Sequence, residues 1–406
     1  MAQLLSKSRR LRSTPFTPFV EAAGAKGYTV YNHMLLPTVF RTLEEDYRHL
    51  REAVQVWDVS GERQIEVVGP DAAKLIQWMT PRDLSQGIVG QCFYAPIIDE
   101  RAGLINDPIV LKLAPDRFWL SIADSDVELW ARALAIARGL DVNVFEAAVY
   151  PLAVQGPKAE ALMTEVFGPV VQNIRFYRFA PLNFRGHTVN VARSGWSKQG
   201  GFEIYLSRAS LAGALWKTLM RAGKTLDVHA GCPNLIERIE SGLLSYGNDM
   251  TRANNPLECG FDRFCHHDRD FDFIGKSALQ RVAKRGAKRR AMGLFIEGDA
   301  LPPCLKPWPV KHEGKARGSV TSAAISPRFG CGVAIAMVDR DAWAPGTLVT
   351  VHVPNGDKRR AMVAPLPLGE EQAALTGFAR GPVAGTSQPA SASPVEGGEA
   401  KARQAA

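Results

Sequence analysis

Hydrophobic and polar positions repeat along this chain with two different periods. Arg63-Gln-Ile-Glu-Val-Val68 alternates every second residue and predicts a strand. Gly69-Pro70 then turns into a stretch from Asp71 to Met79 in which Ala72, Leu75, Ile76 and Met79 follow the helical period. Two more strands are predicted at Ile109–Leu113 and Phe118–Ile122, joined by the turn Ala-Pro-Asp. A helix is predicted from Asp124 to Arg138, with Asp124 or Ser125 as its N-cap. Near Tyr150 the order repeats: a strand over 151–155, Gly156-Pro157, and a helix over 158–167. VVGPDAAKLI and AVQGPKAEALM therefore form a weak internal repeat, which suggests two related α+β modules. From about Arg289 the chain reads as strands and turns, and predicts a third, all-β domain built as a small barrel. From about Gly369 it is rich in Ala, Gly, Pro and Ser, with Phe378 as its single aromatic. Such a segment buries too little apolar surface to offset its ordering entropy, so 369–406 is expected to be a disordered tail.

Composition narrows the class. The 406 residues, 46% hydrophobic and 22% charged, suit two or three ordinary globular domains. No apolar run reaches the ~18–20 residues needed to cross a bilayer, and the basic start MAQLLSKSRRLRSTPF lacks the apolar stretch of a secretory signal. A cytoplasmic protein that binds no membrane is expected. Six scattered cysteines without a CxxC pair read as reduced thiols rather than a disulfide framework. The net charge of +8 gathers at Lys7, Arg9, Arg10 and Arg12 and again at Lys284, Arg285, Lys288, Arg289 and Arg290. Such runs are more often solvated faces than nucleic-acid sites, although an anionic small molecule would also be attracted.

Four segments could carry chemistry. Gly103-Leu-Ile-Asn-Asp-Pro108 puts Asp107 at the lip of a hairpin, where a carboxylate can accept a proton or face positive charge; a turn-capping aspartate is the plainer reading. In Ser194-Gly-Trp-Ser-Lys-Gln-Gly-Gly-Phe-Glu-Ile-Tyr205, a glycine-rich loop with Trp196 and Gln199 enters a strand that places Glu203 and Tyr205 on one face. A carboxylate beside an aromatic suits a flat, nitrogen-rich ring, and the glycines would let that ring approach the backbone. An ordinary half-buried hairpin is equally compatible. Tyr28, Tyr31 and Asn32, in Gly27-Tyr-Thr-Val-Tyr-Asn-His-Met34, could wall a pocket for an onium cation, or belong to a core aromatic cluster. Cys259…Cys265-His266-His267-Asp268 has no recognised ligand spacing, so no metal is expected there. No nucleophile elbow is present, which argues against a covalent hydrolase.

Taken together, these segments resemble the glycine-cleavage T-protein (aminomethyltransferase) superfamily of tetrahydrofolate-dependent enzymes. Trp57-Asp-Val-Ser60 with Val68-Gly-Pro-Asp71, Gly103–Asp107, Gly195–Glu203, Arg238-Ile-Glu-Ser-Gly with Tyr246-Gly-Asn-Asp249, Gly318-Ser-Val-Thr-Ser322, Ser326-Pro327 and Pro345-Gly-Thr347 occur in family order over nearly all of the chain except the tail. The resemblance implies an α+β fold of three domains arranged like a clover leaf around a folate channel. The expected domains are 1–52 with 150–280 (discontinuous, folate-binding), 53–149 (carrying Asp107) and a C-terminal β-barrel over 281–368. YTVYNHMLLP, EVVGPDAAKLIQWMTPRDLS, PLAVQGPKAE, RSGWSKQGGFEIYL and ESGLLSYG look like the superfamily's dimethylsulfoniopropionate demethylase branch. The departures from ordinary T-protein agree: Asn106-Asp107 replaces a pair of aspartates, Trp196 a tyrosine, Gln199 a glutamate, and Ala123 an asparagine.

Carried over by the resemblance, Asp107 is the catalytic aspartate, Glu203 holds the pterin, Trp196 stands at the folate and Tyr94 lines the channel; Arg238 matches a family arginine of undefined role. Tyr205 as a cofactor-side aromatic, and Tyr31 with Trp196 on the substrate side, are inferred as pocket aromatics. The implied reaction moves a methyl group from dimethylsulfoniopropionate to N5 of tetrahydrofolate, which serves as methyl-acceptor cosubstrate, with no metal. The implied partners are a small sulfonium and folate, with no nucleic acid and with a homodimer left open. Rival readings are a folate-dependent demethylase acting on a methoxyaromatic or other methylated donor, an aminomethyltransferase, and a folate-binding accessory protein of iron–sulfur assembly. Relatives of that last kind carry a loop cysteine, which SGWSKQGG lacks.

Overall fold

The structure, a computed structural model, describes residues 8–378. Its centre is a six-stranded sheet in the order Phe179–Phe184, His187–Ala192, Gly201–Leu206, Tyr150–Gln155, Val54–Asp58, Val228–Gly231. Neighbours run antiparallel except the last pair, which is parallel. Helices Ala159–Phe167 and Ala212–Ala222 cover one face, and Leu162, Met163, Leu215 and Leu219 close a core with Val54, Val56, Leu152, Val154 and Ile204. Val54–Asp58, expected in the middle domain, is a correction: buried at all five positions, it pairs with Leu152–Gln155 on one side and Val228–Gly231 on the other. That long-range pairing leaves no local trace in the sequence.

A five-stranded antiparallel sheet, in the order Asn143–Ala147, Gln64–Val68, Arg117–Ser121, Ile109–Ala114, Cys92–Tyr94, carries helices Ala72–Met79 and Val127–Arg138 over Ile65, Val67 and Leu120. Its other face meets the central sheet through Cys92, Leu111, Trp119, Phe179, Ala192 and Tyr205. The strand–Gly-Pro–helix repeat is structural: Gly69 and Gly156 hold φ of +139° and +124°. A Cβ there would stand 2.6 Å from the Asp141 carbonyl oxygen or 2.4 Å from that of Ala53, so only glycine fits either turn. The helix predicted from Asp124 begins at Val127 and has no side-chain cap. Asp124 and Ser125 are engaged elsewhere, Asp124 accepting from the Asn32 amide (2.8 Å) and Ser125 donating to the Ile105 carbonyl (2.7 Å).

The third unit is a closed barrel: Arg289–Ile296, Cys331–Asp339, Lys315–Ser326, Trp308–His312, Leu348–His352, Lys358–Ala364. Leu294, Val310, Val320, Ala334, Val351 and Val363 fill it. The α+β fold expected from the resemblance, with its C-terminal barrel, is therefore present. The tail expectation needs a correction at its start. Glu370–Thr376 is helical, Gln372 accepts from the Gly369 amide (2.8 Å), and Ala373 and Phe378 are buried against Tyr47, Phe295 and Phe329. Apolar residues at 368, 373 and 378 meet a waiting patch, a signal that average composition dilutes. The rest of the expected tail, 379–406, lies outside the described residues, as does Lys7.

Candidate active site

A cavity of about 1500 Å³ lies where the three units and the hairpin Gly27–Tyr31/Met34–Val39 meet. Asn32 and His33 form the hairpin turn with φ of +47° and +64°. The Asn32 side chain donates to the carbonyls of Gly61 (2.9 Å) and Ala123 (3.1 Å), which pins Tyr31 to the cavity wall. Tyr28, on the same hairpin, does not line the cavity.

Asp107 follows the strand Leu104–Asn106, and Asn106 shapes that corner. The buried Asn106 amide accepts from the Asp107 (2.9 Å) and Ala123 (3.0 Å) N–H groups and donates to the Ala123 carbonyl (3.0 Å) and Ser125 Oγ (2.8 Å). An aspartate in its place could not donate. Tyr94, braced by Phe261 and Phe264 at ring-centroid distances of 5.3 and 4.9 Å, donates its hydroxyl to Asp107 Oδ2 at 2.9 Å. Asp107 Oδ1 is buried and, among the described residues, has no partner. Burial raises the Asp107 carboxyl to about 7, against the opposing pull of the Tyr94 bond. Here is a carboxyl poised near neutrality with one oxygen left over for a ligand.

Glu203 lies opposite Ala153 and Ala192, small neighbours that leave room for its carboxyl. Its Oε2 accepts from Ser194 Oγ (2.5 Å) and the Tyr205 hydroxyl (3.1 Å), and burial raises its pKa. Glu203 and Tyr205 do share a face, but Tyr205 is fully buried against Trp119 and does not line the cavity. Trp196 lines it, with the Arg238 guanidinium 6.0 Å from its ring. Arg238 also borders the cavity, yet it is committed to Asp249 (2.7 Å) and Ser322 Oγ (2.5 Å). The loop glycines serve the chain itself. A Cβ on Gly195 or Gly201 would stand 1.9 or 2.4 Å from Gln155 Nε2, so the expected room for a ring is filled by the Gln155 amide, which holds Ser194 and Ser197.

Tyr31, Tyr94, Asp107, Trp196, Glu203 and Arg238 thus border one cavity, and Tyr205 sits behind it. Asp124 borders it as well, and a further carboxyl there, Glu62, went unread from sequence. Placed between a glycine and an arginine before a strand, it looks like a solvated turn residue. His266 lies elsewhere, its Nδ1 accepting from the Asp83 amide (2.9 Å). Among the described residues, the group with metal-ligand geometry is His49, Asp227 and His229, none of which lines the cavity. Nor, among the described residues, is any helix long and apolar enough to cross a membrane.

The GCVT N-terminal domain model matches residues 16–269, and the glycine cleavage T-protein C-terminal barrel domain model matches 289–368. The chain belongs to the glycine cleavage T-protein (aminomethyltransferase) family. It is 55% identical over 349 residues, 86% of this chain and 95% of the relative, to dimethylsulfoniopropionate demethylase DmdA of Ruegeria pomeroyi. It is also 29% identical to an aminomethyltransferase of Halothermothrix orenii, over 85% of this chain and 96% of that protein. The crystal structure of the glycine cleavage system aminomethyltransferase T from Bartonella henselae superposes with a TM-score of 0.80 at 26% identity, covering 89% of this chain and 98% of that one.

Proposed function

We propose that this protein is a tetrahydrofolate-dependent demethylase. It transfers a methyl group from dimethylsulfoniopropionate to N5 of tetrahydrofolate, giving methylthiopropionate and 5-methyltetrahydrofolate. The substrate assignment rests on the likeness to the Ruegeria demethylase. The observation that carries the chemistry is Asp107: a carboxyl near neutrality whose buried Oδ1 has no partner among the described residues. Bound tetrahydrofolate supplies the nucleophilic N5. With both donors on Glu203 Oε2, the other carboxylate oxygen is left to accept ring N–H groups, and Trp196 offers a flat wall. Asp107 faces the positive charge that develops on the acceptor nitrogen and takes its proton; Tyr94 holds the carboxylate in line.

A sulfonium leaves as a neutral thioether, so the leaving group needs neither an acid nor a metal. What the protein must supply is alignment, worth roughly 7–11 kcal/mol when two reactants are held in a near-attack geometry. Tyr31 and Trp196 face the onium cation, at ~0.5–2 kcal/mol per cation–π contact. The six free cysteines agree with a reducing compartment, and the cytoplasm is part of the proposal. The test is anaerobic incubation of the purified protein with dimethylsulfoniopropionate and tetrahydrofolate, following both products by mass spectrometry. Equimolar methylthiopropionate and 5-methyltetrahydrofolate are expected. Folate binding without turnover would move the reading to another methyl donor.

A further inference from the structure

One half-buried ionisable group on the cavity wall has no part in that chemistry. Glu62 lies beyond Val54–Asp58, beside Val59 and Ser121. Its Oε2 accepts from Ser121 Oγ at 3.3 Å, and Ser121 in turn accepts from Gln64 Nε2 at 2.8 Å, which turns the serine proton toward the glutamate. Among the described residues no lysine or arginine pairs with Glu62. The adjacent Arg63 is spent on Glu146 (2.7 Å), with Glu128 and Asp126 further out, and Arg238 is spent on Asp249. The other ionisable groups facing it are Glu203, Asp107 and Tyr31, all acidic. The cavity wall carries four carboxyls, Glu62, Asp107, Asp124 and Glu203, and among the described residues none of its cations, Lys198, Arg238, Arg263 and Arg290, forms an ion pair with Glu62. Asp124 accepts from the Asn32 backbone amide, Glu203 is assigned above to ring N–H groups and Asp107 to the acceptor nitrogen, which leaves Glu62.

We propose that Glu62 is the carboxylate that faces the positive sulfur of the substrate, and so selects a cationic methyl donor over a neutral ether of similar size. This rests on the demethylase reading and assigns the onium charge a partner. A buried carboxyl without a cation is costly, and a neutral donor would leave it so. An onium donor matches it, while Tyr31 adds a π face on the same wall.

Burial, with the like charge of Glu203 next, holds Glu62 up at about 8, against the Ser121 bond. The empty site thus keeps a proton at neutral pH. An incoming cation stabilises the carboxylate and sends that proton to solvent, so sulfonium binding tightens as pH rises toward 8.

The test compares wild type with Glu62→Gln. Sulfonium KM is expected to rise about tenfold to a hundredfold, as when one member of a buried charge pair is lost, with kcat affected less. Calorimetry of sulfonium binding in two buffers of different ionisation enthalpy should find net proton release in wild type and none in the variant. The affinity for tetrahydrofolate alone should stay within about twofold, since that change is near 0.4 kcal/mol. Unchanged KM and unchanged proton release would overturn the proposal, as would equal losses of sulfonium and folate binding, which mark a merely structural role. Wild-type turnover with dimethylsulfoniopropionate checks the parent reading separately. If turnover fails, the proton count on onium binding still decides whether Glu62 meets the cation.

Discussion

Asp107 carries opposite demands. Its pKa is raised from the usual 3.8 to about 7 because folding removes its carboxyl from water. A carboxyl raised by folding favours the native state below the unfolded value, and that contribution is lost as pH climbs through the folded one. Asp107→Asn should therefore lose roughly 100-fold or more in kcat, as expected for a positioned proton acceptor. It should also stabilise the ligand-free protein at pH 8 by on the order of 1–3 kcal/mol, a gain that fades toward pH 4. Denaturant melts at both pH values check this; a variant no more stable at pH 8 than at pH 4 would show that the carboxyl is not strained by burial. Tyr94→Phe tests the neighbour. It removes the bond that pulls the Asp107 pKa down, so the acid limb of kcat/KM should move to higher pH. Asp107 and Glu203 were singled out through motifs of the family the chain resembles, and both border the cavity. Glu62 was not, since a turn glutamate is ordinarily solvated and only the fold turns this one inward.

Elements were read well where the signal is local and poorly where another part of the chain decides. The two Gly-Pro turns are the clear case. Gly156→Ala should cost more than the ~1 kcal/mol of an ordinary glycine-to-alanine conflict, because the added Cβ meets the Ala53 carbonyl at 2.4 Å as well as a left-handed backbone. Thermal melts of Gly156→Ala beside Gly168→Ala separate the two effects: Gly168 also has positive φ, +82°, but open space around its Cβ position. The Val127–Arg138 helix start and the Glu370–Thr376 helix were misread for one reason. Side chains that look like caps or like linker find better partners far away in sequence: Asp124 at Asn32, and Phe378 among Phe295 and Phe329. Phe378→Ala should lower stability by about 3 kcal/mol, because the ring is buried against Phe295 and Phe329. A change under about 0.5 kcal/mol, the range of ordinary surface substitutions, would return the segment to the tail.

At the scale of the whole molecule, the question is what holds three separately cored units around one cavity. Arg238 is the joint between the helix Leu235–Glu240 and the barrel. Its guanidinium binds Asp249 and Ser322, and Asp249 also accepts from Ser322 Oγ (2.6 Å) and Thr321 Oγ1 (2.7 Å). Sequence motifs could put Arg238, Asp249 and Ser322 into family order, but only the packed units reveal that they form one buried network. This gives Arg238 two separable roles. If it acts by joining the units, Arg238→Met strands the Asp249 carboxylate in the interior, and stability should fall by about 3–5 kcal/mol. Adding Asp249→Asn should then recover much of the loss, with folate affinity returning alongside stability. If it acts by touching folate, affinity falls while the melting curve hardly moves, and the second substitution recovers nothing. Measuring unfolding and folate binding on the same four proteins, with the coupling energy taken from the cycle, decides between them. The joint is the expected outcome, because both charged partners are buried and the arginine's bonds are already made without a ligand.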